Sequence, residues 1–244
     1  MMKVDLSVQC CDGSGWYLKN VPFGHPDFGK LFRCECGRSG NPEGRRESLA
    51  AALRGYSECT FESWDLERQL EPNSWGGISY STADQQKALR IATRKAKEYA
   101  ADPDGFLFLF GSFGAGKTHL AAAIGRECAS RNLRVQYHNI PRLFDELRGA
   151  AGDFAVDEAL NPLLNCDVLI LDDIGAEEAA SQFIQGRLFR IIDERINKSI
   201  IFTSNLDQKT LGDKLGGRLA SRMFMAETIW LPVSDYRKHM GKAR

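Results

Sequence analysis

The 244-residue sequence has no excess charge of either sign, because 32 lysines and arginines face 32 aspartates and glutamates. That balance excludes a whole-molecule field drawing it to nucleic acid, so any DNA contact must be local. No apolar run approaches the roughly 20 residues that span a bilayer. The opening MMKVDLSVQCC also lacks the apolar stretch of a secretory signal. A cytoplasmic protein without membrane association is therefore expected. Internal repeats and low-complexity tracts are missing as well. Cysteine is uneven: the count of seven is odd, which argues against a disulfide framework. Cys10, Cys11, Cys34 and Cys36 crowd the start, whereas Cys59, Cys128 and Cys166 are scattered. That distribution suits reduced thiols and a possible metal site.

What is present is more informative. Hydrophobic residues make up 43% of the chain, enough for a large core. Residues 106–118 read FLFLFGSFGAGKT, an apolar run ending in G-x-x-x-x-G-K-T. Phe106–Phe110 reads as a buried strand, and the alanine-rich His119–Ser130 as a helix. Between them, Gly111, Ser112, Phe113, Gly114, Ala115, Gly116, Lys117, Thr118 and His119 form the candidate nucleotide-binding set. Backbone N–H groups of such a loop, with the positive end of the helix, make a concave anion site. Lys117 is placed to reach the β- and γ-phosphates of ATP, and the Thr118 hydroxyl to hold Mg²⁺. Gly114 and Gly116 leave the backbone free to approach the phosphates.

Around this loop the pattern alternates. Helices are expected over Arg45–Arg54, Thr82–Ala101, Pro141–Arg148, Val156–Leu164 and Glu177–Asn197. Strands are expected at Arg134–His138, Asp167–Leu171, Ser199–Thr203 and Glu227–Leu231. In the helix from Thr82, Ala88, Ile91, Ala92, Ala96 and Tyr99 share one face. Pro72–Gly77 reads as a loop. Nearly all-apolar strands alternating with helices imply an α/β fold, a parallel sheet covered on both faces.

Two strand ends carry further chemistry. VLILDDIG closes on paired carboxylates, at the end of a parallel strand where ligands bind. Asp172 could hold Mg²⁺ through water and Asp173 could polarise an attacking water, although a helix N-cap calls for the same residues. IIFTSN ends on Asn205, suited either to positioning water beside the γ-phosphate or to a turn. GGRLASRMF sets Arg218 and Arg222 four residues apart on one helix face. A guanidinium there could stabilise transition-state charge across a subunit boundary, with Arg222 first and Arg218 second; the alternative is a solvated basic face.

GSFGAGKTHL, LILDDIG, IIFTSN and GGRLASRMF, in this order, resemble the AAA+ ATPases of the bacterial helicase-loader group, the DnaC/DnaI type, with the insertion-sequence helper IstB as close relative. The likeness covers residues of about 58–235. It implies an AAA+ P-loop sheet without a C-terminal helical lid, for which too few residues follow the last strand. YSECTFESWD resembles the segment leading into the family's core near the adenine, with Phe61 the packing residue. CCDGSGWY followed by GHPDFGKLFRCECGR is similar to the amino-terminal zinc segment of some loaders. Here the pattern is disturbed, since Val8 stands where a first cysteine is usual; Cys10 or His25 would complete Cys11, Cys34 and Cys36. The resemblance implies three parts: a Cys-rich segment 1–44 contacting the helicase, a linker 45–75, and the ATPase domain 76–244. It also implies ATP-dependent delivery of the replicative helicase onto single-stranded DNA, self-association through the ATPase domain, and slow turnover, since Asp173 stands where many AAA+ members have glutamate. Arg142 and Arg148, in the stretch Asn139–Cys166, would face the single strand. The alternative role is a transposition helper that binds duplex DNA and recruits a transposase.

Overall fold

The runs FLFLF, VLIL and IIF are continuously apolar because helices cover the central sheet on both faces. In the computed structural model, residues 16–18, 21, 25, 31–33, 46, 49–149, 153–176, 182–223 and 225–240 are described. The chain divides into two units, Met1–Ser48 and Leu49–Arg244. In the first, β1 (Trp16–Leu18) pairs antiparallel with β2 (Leu31–Arg33). Cys10, Cys11, Cys34 and Cys36, expected to bind zinc, lie outside the described residues.

The second unit is built on five parallel strands: β5 (Phe106–Gly111), β6 (Val135–Asn139), β7 (Val168–Asp172), β8 (Ser199–Ser204) and β9 (Glu227–Leu231). Their spatial order is β6-β7-β8-β5-β9. Chain order and spatial order part company at β5, where connections leave toward opposite edges, and a crevice opens at the strands' carboxyl ends. Helices α1 (Thr82–Ala101) and α2 (Lys117–Ser130) cover one face. The other face carries α3 (Ile140–Gly149), α4 (Asp153–Asn165), α5 (Gln182–Glu194), α6 (Gln208–Leu215) and α7 (Gly217–Met223). A short α8 (Arg237–Met240) follows β9. Among the described residues no helix is long and apolar enough to cross a membrane.

Period-two alternation sorts the strands into two cores. Leu107, Leu109, Ile170, Ile201 and Ile229 pack with Leu89, Leu120 and Ile124. Phe106, Phe108, Leu169, Leu171 and Phe202 pack with Phe144, Leu188 and Ile191. Each fully buried side chain of this kind stabilises by about 1.5–3 kcal/mol.

Three expectations need correcting. Pro72–Gly77 is not a plain loop: β3 (Asn73–Trp75) and β4 (Ile78–Tyr80) form a hairpin. Gly76 and Gly77 have φ of 62° and 77°, the pair of positive values that a two-residue type I′ turn needs. The helix expected over Glu177–Asn197 is described from Gln182 and ends at Glu194, where Arg195 turns its side chain into the interior. On α1, Ile91 leaves the buried face; it lines a groove with Ile78 and Trp230 instead.

Arg195 holds the sheet's lower end together. It is fully buried, and its guanidinium donates to the carbonyls of Leu163 (2.8 Å), Cys166 (2.9 Å) and Ser199 (2.8 Å). These bonds join the end of α4 to the start of β8. Arg195→Ala would strand several buried carbonyls, so urea unfolding should show a loss of about 3 kcal/mol. A loss below about 1 kcal/mol would deny Arg195 this role.

Candidate functional site

The phosphate loop starts where β5 runs out of room for side chains. Gly111 lies so close to β9 that a Cβ would come within 2.1 Å of the Leu231 carbonyl oxygen. Gly114 and Gly116 follow with φ of 63° and 100°. Here the structure refines the sequence reading: the places a Cβ would take are filled by Asp235 and Trp64. Gly116 is also the N-cap of α2 and offers no side-chain cap. The first N–H groups of that helix therefore remain for an anion.

Lys117 is buried, and its ammonium donates to the carbonyls of Gly111 (3.1 Å) and Ser112 (2.7 Å) and to Asn205 Oδ1 (2.7 Å). Burial pushes its pKa down to about 8, against the pull of Asp173 and Asp172. Thr118 Oγ1 donates to Asp172 Oδ1 at 2.9 Å. Asp172 has no exposed surface and also accepts from Thr203 Oγ1 (2.6 Å) and the Tyr137 hydroxyl (2.7 Å). Asp173 is half-buried with a φ of 60°, its N–H donating to Thr203 Oγ1 (2.9 Å) and its Oδ2 accepting from Asn139 Nδ2 (3.2 Å). Burial first, then the neighbouring Asp172, raises its pKa.

Lys117 and Thr118 from the start of α2, Asp172 and Asp173 from the end of β7, and Asn205 just past β8 thus converge on one crevice. Their metal-facing donors are oxygens only, the set a hard cation such as Mg²⁺ takes. Of the other loop residues, Ser112 accepts from Asn73 Nδ2 at 2.8 Å, Ala115 is buried, and Phe113 is exposed at the loop's tip. His119 Nε2 lies 2.9 Å from the Thr60 carbonyl, and its ring meets Trp64 edge-on at 5.1 Å.

Arg222 sits elsewhere. Its Nη2 donates to Asp193 Oδ1 at 2.8 Å on the helical face of α5, and Arg218 is exposed on α7. Phe61 is half-buried beneath the Lys97 ammonium, 5.7 Å from its ring, while Trp64 is the residue that meets the loop. Arg142 and Arg148 pair within α3 with Glu146 (3.0 Å) and Asp145 (2.9 Å), which locally neutralises them.

Sequence reasoning missed a second set of residues around the loop. Arg68, buried, donates to the Ala115 carbonyl at 2.9 Å with its guanidinium 4.7 Å over Trp64. Tyr236 N–H donates to the Gly114 carbonyl at 3.2 Å. No lid is present among the described residues, yet α8 supplies a further arginine. Arg237 pairs with Asp235 at 3.0 Å, near enough for its charge to act on Lys117 and Asp173. None of these positions carries a sequence motif; only their place after β9 or before α1 points to the loop.

The profile of the family described as IstB-like ATP binding protein matches residues 73–224. The chain belongs to that family. It is 27% identical to the replicative helicase loader DnaC of Buchnera aphidicola subsp. Schizaphis graminum, over 76% of this chain and 72% of the relative. It is 33% identical to the replicative helicase loader DnaI of Bacillus subtilis, over 81% of this chain and 61% of that protein. AMPPCP-bound DnaA from Aquifex aeolicus superposes with a TM-score of 0.59 at 23% identity, covering 76% of this chain and 54% of that one, and shares the AAA+ fold.

Lys117 links this site to pH. Near pH 8 the free protein holds it partly neutral, and an arriving phosphate favours the ammonium. Binding of ATP above pH 8 should therefore take up a proton and weaken as pH rises. Calorimetry in buffers of different ionisation enthalpy reads this directly; pH-independent binding with no proton uptake would contradict it.

Proposed function

We propose that the chain is an ATP-hydrolysing switch that loads a replicative helicase onto single-stranded DNA. The observation that carries it is the bridge across the crevice: Lys117 on Asn205, Thr118 on Asp172. A phosphate-loop lysine and a hydroxyl–carboxylate pair side by side in one crevice are the groups that a triphosphate and its metal would need, which supports the reading. The helicase-loader relatives support the biological role.

In this reading Lys117 exchanges its carbonyl partners for β- and γ-phosphate oxygens. Thr118 and Asp172 would hold Mg²⁺, which when bound would supply neutralisation of charge developing on the phosphates. Asp173, already biased toward accepting a proton by its surroundings, polarises the attacking water, and Asn205 orients it. Aspartate's short reach there makes turnover slow, as a switch requires. Arg222 of one copy, with Arg218 second, completes the site of the next, so hydrolysis depends on self-association. Arg237 is a candidate for the same charge within its own copy. Residues 1–44 grip the helicase, with zinc held by Cys11, Cys34, Cys36 and either Cys10 or His25; residues 45–75 lead into the ATPase domain at 76–244. The IstB-like family match favours a second reading, a transposition helper acting on duplex DNA.

A pull-down at micromolar concentrations should recover a complex with the replicative helicase of the same cell. Its absence, beside capture of a transposase, would favour the helper. Arg222→Ala should keep ATP affinity and lower hydrolysis by about a thousandfold. Mixing it with Asp173→Asn should restore part of the activity at hybrid interfaces. Normal hydrolysis by Arg222→Ala would remove the shared site.

A further inference from the structure

The edge strand β6 does more than close the sheet. Its residues 137 and 139 are two apart and so face the same way. Register places Tyr137 beside Ile170 and Asn139 beside Asp172, at the end of β7. The Tyr137 hydroxyl donates to Asp172 Oδ2 at 2.7 Å, and Asn139 Nδ2 to Asp173 Oδ2 at 3.2 Å. The two oxygens of Asp172 are thereby divided. Oδ1 takes Thr118 and Thr203, on the side of the phosphate loop, while Oδ2 takes Tyr137. Tyr137 itself cannot swing away: it is buried in the core, and the Tyr56 ring lies 6.2 Å from its own, tilted by 59°.

We propose that Tyr137 and Asn139 are positioning residues, through which β6 fixes the metal-facing oxygen of Asp172 and the water-facing carboxylate of Asp173. The proposal rests on the ATPase reading above and adds the strand that aims its two carboxylates. With Oδ2 tied, Asp172 keeps one rotamer, and its Oδ1 stays beside Thr118. Without the phenol, Thr118 and Thr203 still hold Oδ1 but Oδ2 loses the Tyr137 donor, so the carboxylate can pivot about Oδ1 and would present a less fixed ligand to the metal. Losing an outer partner of this kind typically costs about 10–100-fold in metal affinity. Asn139 acts on the other group, so its loss bears on the chemical step.

The test uses the full chain and a fluorescent ATP analogue, titrated in EDTA and across a Mg²⁺ series. Tyr137→Phe should bind the analogue in EDTA within about twofold of the parent, whereas its Mg²⁺ midpoint should rise about tenfold. Electron paramagnetic resonance with Mn²⁺ should show the same weakening without any turnover. Asn139→Ala should leave the Mg²⁺ midpoint in place and lower kcat without raising KM. An unchanged midpoint for Tyr137→Phe overturns the proposal. Equal weakening with and without metal overturns it too, since that is what a merely structural hydroxyl would produce. Lys117→Ala separates the two levels: if it binds the analogue like the parent, the phosphate-loop reading itself has failed.

Discussion

A carboxylate with no exposed surface sits at the end of β7, and the arrangement of four elements depends on it. Burying an ionised group is costly unless charge-assisted hydrogen bonds replace its water. Asp172 receives three hydroxyls for that purpose, from Thr118 on α2, Tyr137 on β6 and Thr203 on β8. Each donor is fixed by its own element, so the requirement to satisfy one side chain sets how α2, β6 and β8 meet at the crevice. Thr203 does this twice, since it also accepts the Asp173 N–H and holds that residue in its left-handed conformation. The neighbouring Asp173 has the Asn139 amide as its side-chain donor, and burial, followed by the charge of Asp172, raises its pKa.

The phosphate loop has a comparable dependence on protein that surrounds it. Trp64 and Arg68 pack beneath Gly116 and Ala115, and Asp235 and Tyr236 press on Gly114. Asn73 of the hairpin reaches both Ser112 and the Pro232 carbonyl, joining these supports to each other. The loop's shape is therefore held by contacts within the chain itself. Small reorganisation on binding follows, which favours affinity because little ordering remains to be done.

The sheet and the loop were legible because their signals are local. An apolar run of five or six residues, a glycine pattern and a carboxylate pair each specify their own geometry, and the strands fell within a residue or two of expectation. Phe106–Gly111 and Thr82–Ala101 illustrate this well. The hairpin at Gly76-Gly77 had a readable signal, two glycines between alternating residues, that the flanking Pro72 and Asn73 disguised as a loop. Arg68, Tyr137, Asp235 and Arg237 gave none, and in YSECTFESWD the signal pointed to Phe61 where Trp64 is the residue that meets the loop. Their roles come from contacts between elements distant in the chain, as with Tyr137 and Asp172, joined only because β6 and β7 lie side by side. Arg222 is intermediate: its spacing from Arg218 was visible, its partner Asp193 was not.

The support supplied by Leu231, Asp235 and Tyr236 has a consequence for biosynthesis. Ser112 N–H donates to the Leu231 carbonyl, so the phosphate loop is finished by a strand made more than a hundred residues after it. On the ribosome, β5 to β8 can emerge and begin to pack while the anion cradle still lacks its outer wall. Nucleotide is then unable to act as a template for the nascent polypeptide, and a product truncated before β9 would hold the whole signature motif yet never shape it.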